Sequence, residues 1–407
     1  MSQKVTKILF LNQMAGPLFR ELAEDLSDAL SGVSVLQTGH PDTLSIGSST
    51  SHLLIEGQPA YDRSSYVSRI LSWLKYTLFV SIAMLKVDKG TAIFIVSNPP
   101  LLGPLAWLVN KLKGVPYIVL VYDMHPDTLI SFGVLKESSL ISRVWRWVNR
   151  KVWNNATAVY TLGSVMAEKL SLQFDVENTS LGHVGVVPPW ADTDKIKPIN
   201  KADNPLAEDL KQLGKITVLY SGNMGISHDI DSILQAALIL RNDSNIAFLM
   251  IGEGAKWKDA KDFQFEHKLD NLQVLPFQSE DKLPYTMPLA DIALVALDVG
   301  AEGLMIPSKM FYYMAAGAAV VGICSGRNDV SVILDEAACG ITVQPQQPEQ
   351  LAEAIKILAS DIGHLDGLKQ NAREAAKASY SRKACMKNLA ISVVDILDRQ
   401  GSLDESV

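Results

Sequence analysis

Apolar residues in this chain gather mostly in short unbroken runs, and longer stretches with helical spacing lie between the runs. The first such unit is Val5–Leu11, the turn Ala15-Gly16-Pro17, then Leu18, Leu22, Leu26, Ala29 and Leu30 on one stripe, which predicts strand, tight turn and helix. Runs at Ala92–Val96, Tyr117–Tyr122 and Ala156–Thr161 predict further strands. Their lack of alternation suits parallel strands covered on both faces. Val187–Asp192 and Lys195–Asn204, rich in proline and charge, read as an inter-domain connection rather than a packed element. The pattern then restarts: Ile216–Tyr220, Ile246–Ile251, Ile292–Leu297 and Ala319–Ile323 alternate with helices, among them Glu349–Ala359 with Leu351, Ile355, Leu358 and Ala359 on one face. The prediction is α/β, in two successive halves.

One stretch departs from this grammar. Ile70–Leu85 is apolar except for Ser72, Lys75, Thr77 and Ser81, and it carries Trp73, Tyr76 and Phe79. It is shorter than the roughly 20 residues that spanning a bilayer takes. It therefore reads either as an ordinary helix buried in the first half or as an apolar helix that also touches a membrane interface. Trp107, Lys111 and Lys113 nearby suit the second option.

Composition narrows the partners. A chain of 407 residues allows two to three domains at about 150 residues each. The formal net charge of -7 argues against nucleic acid as a partner, because a broad basic surface is lacking. Cys324, Cys339 and Cys385 form no C-x-x-C pair, which suits structural thiols in a reducing cytoplasm. The histidines form no H-E-x-x-H motif or close His/Cys cluster, so no metal site is expected. Lys4 and Lys7 precede an apolar run that breaks at Asn12-Gln13, and no signal peptide is read there.

Three clusters could carry chemistry. In Tyr220-Ser221-Gly222-Asn223-Met224-Gly225-Ile226-Ser227-His228-Asp229, two glycines join a buried strand to a helix capped by Ser227 or Asp229. They would let backbone N–H groups approach a diphosphate, although a plain tight turn explains them as well. Gly252, Glu253 and Gly254 follow the next strand and Pro276-Phe277 another, so successive strand ends describe one pocket rim. Glu253 also fits a solvated loop carboxylate. In the second cluster, Glu302 leads to Pro307-Ser308-Lys309 at the start of an otherwise apolar helix. A lysine at a helix N-terminus is disfavoured by the dipole unless an anion lies between them, or unless it is simply solvated. The third is Asp123-Met124-His125-Pro126-Asp127, ionisable groups at a strand end suited to acceptor contacts or proton handling. N-capping is a competing role for Asp127.

At these residues the chain resembles bacterial family 4 glycosyltransferases of the GT-B fold, of the kind that builds colanic acid and O-antigen. The resemblance runs through Ser97-Asn98-Pro99-Pro100, the Asp123–Asp127 cluster, Val187-Pro188-Pro189-Trp190, Tyr220–Gly225, and Pro307-Ser308-Lys309 with Ala315-Ala316-Gly317. It implies two Rossmann-like domains with parallel sheets facing each other across a cleft. Residues 1–195 would bind the acceptor and 196–382 the donor, with a C-terminal helix in about 383–407 crossing back to the first domain. It further implies a retaining transfer from a nucleotide sugar, UDP-linked by first choice and GDP-linked by second, to a lipid-linked acceptor. The enzyme would work without metal or other cofactor, in the cytoplasm and peripherally at the inner face of the plasma membrane. Gly222, Asn223, Gly225, His228, Gly252, Glu253, Ser308 and Lys309 would serve the donor, Phe277 would border its base, and Glu302 or nearby backbone would face its sugar. His125 would sit beside the reacting carbon, with Asp127 and Lys309 also catalytic and Gly16 and Asp123 on the acceptor side. Tyr312 stands where many relatives carry a glutamate, and Asn223 and His228 stand where many carry arginine and lysine.

Two other classes compete. An epimerase of the same fold would surround the donor with acid and base groups and lack an acceptor groove. A non-catalytic nucleotide-sugar-binding subunit would tolerate Tyr312. Because similar scaffolds host many activities, fold alone does not separate the three.

Overall fold

A computed structural model of the chain describes residues 4–403 apart from 63, 175–183 and 226. Ile226 of the glycine loop and the tail beyond 403 lie outside the described residues. The chain divides into two compact units, 1–188 with 385–407, and 189–384.

The first unit holds a seven-stranded sheet of β1 (Lys7–Leu11), β2 (Ser34–Thr38), β3 (Leu53–Gly57), β4 (Thr91–Val96), β5 (Tyr117–Val121), β6 (Ala158–Thr161) and β7 (Gly185–Val186). The second holds six strands: β8 (Ile216–Asn223), β9 (Ile246–Glu253), β10 (Leu272–Pro276), β11 (Ile292–Ala296), β12 (Ala319–Ile323) and β13 (Gly340–Val343). Their orders are β3-β2-β1-β4-β5-β6-β7 and β10-β9-β8-β11-β12-β13. Every pairing in them is parallel. Both are doubly wound sheets, so ligands are expected outside the carboxyl ends of the strands, where the order reverses between β1 and β4 and between β8 and β11.

The continuous apolar runs behave as parallel central strands should: β4, β5, β6, β11 and β12 are buried at every position. The predicted runs missed β2, β3, β7 and β13, which are short, sit toward the sheet edges, or mix polar residues among the apolar ones. The first helix is Pro17–Asp28 and buries Phe19, Leu22, Ala23 and Leu26, so the expected stripe through Leu18, Ala29 and Leu30 is out of register. Pro348–Ser360 buries Leu351, Ile355 and Leu358 as its spacing predicts.

The proline-rich connection is a packed element. Trp190, Ala191 and Ile196 are buried, and the Arg373 guanidinium donates to the carbonyls of Thr193, Ile196 and Ala315 at 2.9, 2.9 and 2.6 Å. The division accordingly falls after Pro188 and not at 195. The final helix, Arg382–Leu403, belongs to the first unit for most of its length. Ser392 shares a 2.7 Å hydrogen bond with the Tyr160 hydroxyl, and Asp398 pairs with Lys4 at 3.2 Å. All three cysteines are free and buried, and burial raises each thiol above its ordinary range.

The apolar stretch is longer than its sequence suggests. It forms a helix, Tyr66–Lys86, started by the Ser65 side chain accepting from the Ser68 amide. Only a narrow stripe faces the protein: Ser72, Tyr76, Val80 and Met84, four residues apart, are buried. Val67, Ile70, Leu71, Leu74, Leu78, Phe79, Ile82 and Leu85 are exposed. This corrects the buried-helix alternative. Val67–Lys86 is also long and apolar enough, by length and composition, to cross a membrane. Lys113 closes its C-terminal end by donating to the carbonyls of Leu85 and Val87.

Candidate active site

In the second unit the strand ends meet around one cation. Strands β8 and β9 run further than their apolar cores predict, so Gly222 and Asn223 pair within the sheet, opposite Gly252 and Glu253. Close approach makes two of these positions glycine. A β-carbon at Gly252 would fall 1.8 Å from the Gly222 carbonyl oxygen, and one at Gly222 would fall 3.1 Å from Lys309 Cδ and 3.2 Å from its Nζ. Lys309 begins the helix Lys309–Ala315 after Ser308, whose hydroxyl makes no capping hydrogen bond. The ammonium lies 5.7 Å from the centre of the exposed Phe277 ring.

Lys309 is partly buried, and among the described residues no carboxylate or other acceptor pairs with its ammonium. Burial pulls its pKa down to about 8, with Glu253 acting in the opposite direction. A half-desolvated, unpaired ammonium is unfavourable until an anion joins it. The expectation of a merely solvated lysine does not survive this environment. Glu253 itself is exposed.

The loop beyond Asn223 is tied down by backbone bonds: the Met224 amide donates to Glu253 at 2.6 Å, and the Lys256 amide to Met224 at 2.9 Å. Asp229, not Ser227, caps the following helix Ile230–Ile239 by accepting from Ser232. His228 is partly buried; burial lowers its pKa, and Lys256 and Lys309 push the same way. Lys256, which the sequence reading overlooked, donates to the His228 carbonyl at 3.0 Å and pairs with the exposed carboxylate of Asp231 at 3.2 Å. Tyr313 was also overlooked. Its buried hydroxyl accepts from the Ser221 amide at 2.6 Å and donates to the Ser221 carbonyl at 3.0 Å, pinning the end of β8 to the Lys309 helix. The available signal was a tyrosine on a wholly apolar helix, since a buried hydroxyl needs a partner. Glu302 accepts from Ser325, next to the end of β12.

In the first unit, Ser97 Oγ at the end of β4 accepts from the amides of Tyr122 and Asp123, at 3.1 and 3.4 Å, and so holds the end of β5. Burial raises the Asp123 pKa against the opposing effect of His125. Burial also lowers that of His125, with Asp123 and Asp127 opposing. The imidazole ring lies 6.0 Å from Trp145, and its buried Nδ1 has no partner. Asp127 does not cap the helix Asp127–Ser131, because Pro126 occupies that position. Its carboxylate accepts from Arg146 Nε and Nη2 at 3.0 and 2.5 Å and from Gln173 at 3.1 Å. Gly16 occupies the N-cap of the first helix in an ordinary extended conformation; a β-carbon there would lie 3.9 Å from His40 Nε2. Among the described residues, no group of three or more His, Cys, Asp or Glu could hold a metal ion.

The second unit can thus meet an anion with the Lys309 ammonium and close backbone, while the first presents a partly buried imidazole beside a partly buried carboxyl. Residues 204–375 match the family described as Glycosyl transferases group 1, and 18–190 match the Glycosyl transferase 4-like domain. The chain is 26% identical over 348 residues to a probable glycosyltransferase of Pseudomonas aeruginosa, WbjE, covering 83% of each. It is 24% identical to the putative colanic acid biosynthesis glycosyl transferase WcaI of Escherichia coli, covering 61% of each. Among solved structures, Anabaena Alr3699/HepE in complex with UDP-glucose superposes with a TM-score of 0.71 at 14% identity, covering 96% of this chain and 99% of that one.

Proposed function

Because this chain belongs to the family 4 glycosyltransferases of the GT-B fold, we propose that it transfers a sugar from a nucleoside diphosphate sugar to a lipid-linked saccharide in surface-polysaccharide synthesis, with retention at the transferred carbon. The observation that carries this reading is Lys309: a partly buried, unpaired ammonium against Gly222 and beside the Phe277 ring. As the glycosyl–phosphate bond breaks and the acceptor hydroxyl oxygen takes its place, negative charge grows on the leaving diphosphate, an oxygen of which takes the hydroxyl's proton. Lys309, with Lys256 on the neighbouring loop, meets that charge where a divalent metal otherwise would, so the reaction proceeds without metal. Phe277 borders the base and Glu302 faces the sugar. A UDP-sugar is the first choice of donor, which the likeness to a UDP-glucose complex supports, and a GDP-sugar the second.

His125 acts on the reacting sugar from the first unit through its unpartnered ring nitrogen, and Asp123 shares the acceptor side. Asp127, engaged by Arg146 and Gln173, positions the helix that follows His125. A lipid-linked acceptor is suggested by the exposed apolar face of Tyr66–Lys86. The helix Leu102–Lys113 packs beside it and exposes Leu108 and Leu112 next to Lys111. Such a face suits docking on the inner surface of the plasma membrane.

The test is thermal unfolding with UDP-glucose, UDP-galactose, UDP-N-acetylglucosamine and GDP-mannose in turn, with excess EDTA present. One UDP-sugar should raise the Tm of the native protein, and that of Lys309→Ala by less. No shift with any donor, or a shift that needs added magnesium or manganese, overturns the reading.

A further inference from the structure

The helix that carries Lys309 meets the sheet where two of its strands part. Strand β8 pairs with β9 as far as Asn223, opposite Glu253, and β11 pairs with β12 as far as Ala296. Between β8 and β11 the pairing is limited to Val218 and Leu219, opposite Ile292 and Ala293. The Thr217 carbonyl accepts from the Asp291 amide at 3.0 Å, so alternate residues of β8 from Thr217 onward, Leu219 and Ser221 among them, turn their backbone groups toward β11. Ser221 is buried and presents its N–H and C=O to a side where the neighbouring strand has turned away. Both groups still need partners there.

The Tyr313 hydroxyl takes the place of the missing strand. It accepts from the Ser221 amide at 2.6 Å and donates to the Ser221 carbonyl at 3.0 Å. Burial raises its pKa above the ordinary phenol value, so it keeps the proton it donates. Tyr313 follows Lys309 by four positions in the helix Lys309–Ala315, which puts the two side chains on one face. They meet consecutive residues of β8. The hydroxyl holds Ser221, and the lysine stem lies against Gly222, where a β-carbon would fall 3.1 Å from Cδ. Arg373 anchors the far end of this helix through the Ala315 carbonyl at 2.6 Å; nearer the lysine, the tyrosine ties it to the sheet.

We propose that Tyr313 is a positioning residue for the donor anion: by bridging the Ser221 N–H and C=O where β8 and β11 part, its hydroxyl fixes Lys309 against Gly222. This rests on the proposed role of Lys309 toward the diphosphate. A phenyl ring in the same place fills the space and satisfies neither backbone group. Relief then comes from water entering between the strands or from the helix drawing back from β8, and either movement frees the lysine stem from Gly222. The loss of two hydrogen bonds weakens the fold whatever residue stands at position 309. The loss in anion binding arises only where a lysine is there to be displaced.

A double-mutant cycle on the full chain tests it, with UDP affinity measured by calorimetry well below the melting temperature and a melting curve for each protein. Lys309→Ala should weaken UDP binding by about tenfold. Tyr313→Phe should weaken it by about three- to tenfold alone and by less than about twofold beside Lys309→Ala, while lowering Tm equally in both backgrounds. Tyr313→Met repeats the comparison with a second side chain that lacks the hydroxyl. Native UDP affinity in Lys309→Ala would overturn the donor reading, and this proposal with it. Where Lys309→Ala does weaken UDP binding, the donor reading stands and the proposal alone is overturned by any of three results: UDP affinity within about twofold of native in both Tyr313 variants, an equal loss with and without Lys309, or failure of both variants to fold, since the hydroxyl would then serve the fold rather than the lysine.

Discussion

The two units share a strand order but not a use for it. In the second, the strand ends are stripped to glycine at Gly222 and Gly252, and the backbone closes on Lys309. In the first, the corresponding region past β5 carries Asp123 and His125, and the crossover helix Tyr66–Lys86 leaves most of its apolar surface uncovered. The difference teaches that a doubly wound sheet fixes where a ligand is met, while the side chains at its strand ends determine what is met. In the proposed reading the second unit meets an anion at Lys309, and the first supplies His125 and an exposed apolar face.

The comparison breaks most severely at Lys309. If the ammonium stabilises charge that develops only as the diphosphate leaves, Lys309→Ala should lower kcat by about 10²–10³, or roughly 3–4 kcal/mol, and weaken donor binding less. A solvated lysine would change stability by only about 0.5 kcal/mol with turnover near normal. Steady-state kinetics with a melting curve decides; a folded variant within threefold of native turnover removes Lys309 from the chemistry.

A substitution in the first unit should show the opposite signature. His125→Gln keeps a hydrogen-bonding group of similar size but no imidazole, and should cost about 10² in kcat, the lower end of what a positioned acid or base contributes. UDP affinity should stay native, because the donor cluster is composed of second-unit residues. Calorimetric titration with UDP beside turnover would expose an error: equal losses in both would mean that the two units are not divided as proposed.

The third way to sharpen the contrast is the exposed stripe of the apolar helix. Leu71, Leu74 and Leu78 are about half to two-thirds exposed, at 49%, 49% and 67%, so replacing all three with serine removes apolar surface without opening a cavity. Co-sedimentation with anionic liposomes should fall about fivefold while UDP affinity and Tm hold, as expected for lost burial of apolar area at an interface. Failure of the native protein to sediment would end the membrane assignment.

How far the sequence anticipated all this depends on what each feature rests on. Central strands such as Thr91–Val96 and Tyr117–Val121 were legible because burial on both faces leaves an apolar run that little else explains. The edge strand Leu53–Gly57 was not, since one exposed face admits Glu56 and the run loses its contrast. Lys309 and the glycines could be named from a motif, but the absence of a pairing carboxylate is a three-dimensional fact. Tyr313 was hidden because its partner, the backbone of Ser221, has no identity in a sequence, and a capping role for Asp127 stayed open because its partners Arg146 and Gln173 are remote along the chain. The helix Tyr66–Lys86 left two readings open because apolar content does not say which face is covered.

The pH dependence of Lys309 has the clearest sign. Burial brings the Lys309 pKa from an ordinary 10.5 down to about 8, so in the donor-free protein the cation is mostly present at pH 7 and mostly absent by pH 9. UDP affinity should therefore be flat up to about pH 8 and then fall by up to about tenfold per unit, because one unit above a pKa about a tenth of the group remains charged. Lys309→Met should bind UDP weakly and without this dependence. Stability moves the other way. Between about 8 and 10.5 the unfolded chain holds the Lys309 proton and the folded chain does not, so ΔG of unfolding rises with pH across that window; the relief of a buried charge is complete above 10.5 and lost as pH falls through 8. Melting curves of the native protein and Lys309→Met from pH 7 to 10.5, with and without UDP, isolate the contribution of this one group. The donor-free native protein should gain on the variant as pH rises, and saturating UDP should erase that gain by keeping the ammonium charged. Parallel curves in the donor-free state would show that the lysine is neither desolvated nor awaiting an anion, and the contrast between the units would then have to rest on the glycines alone.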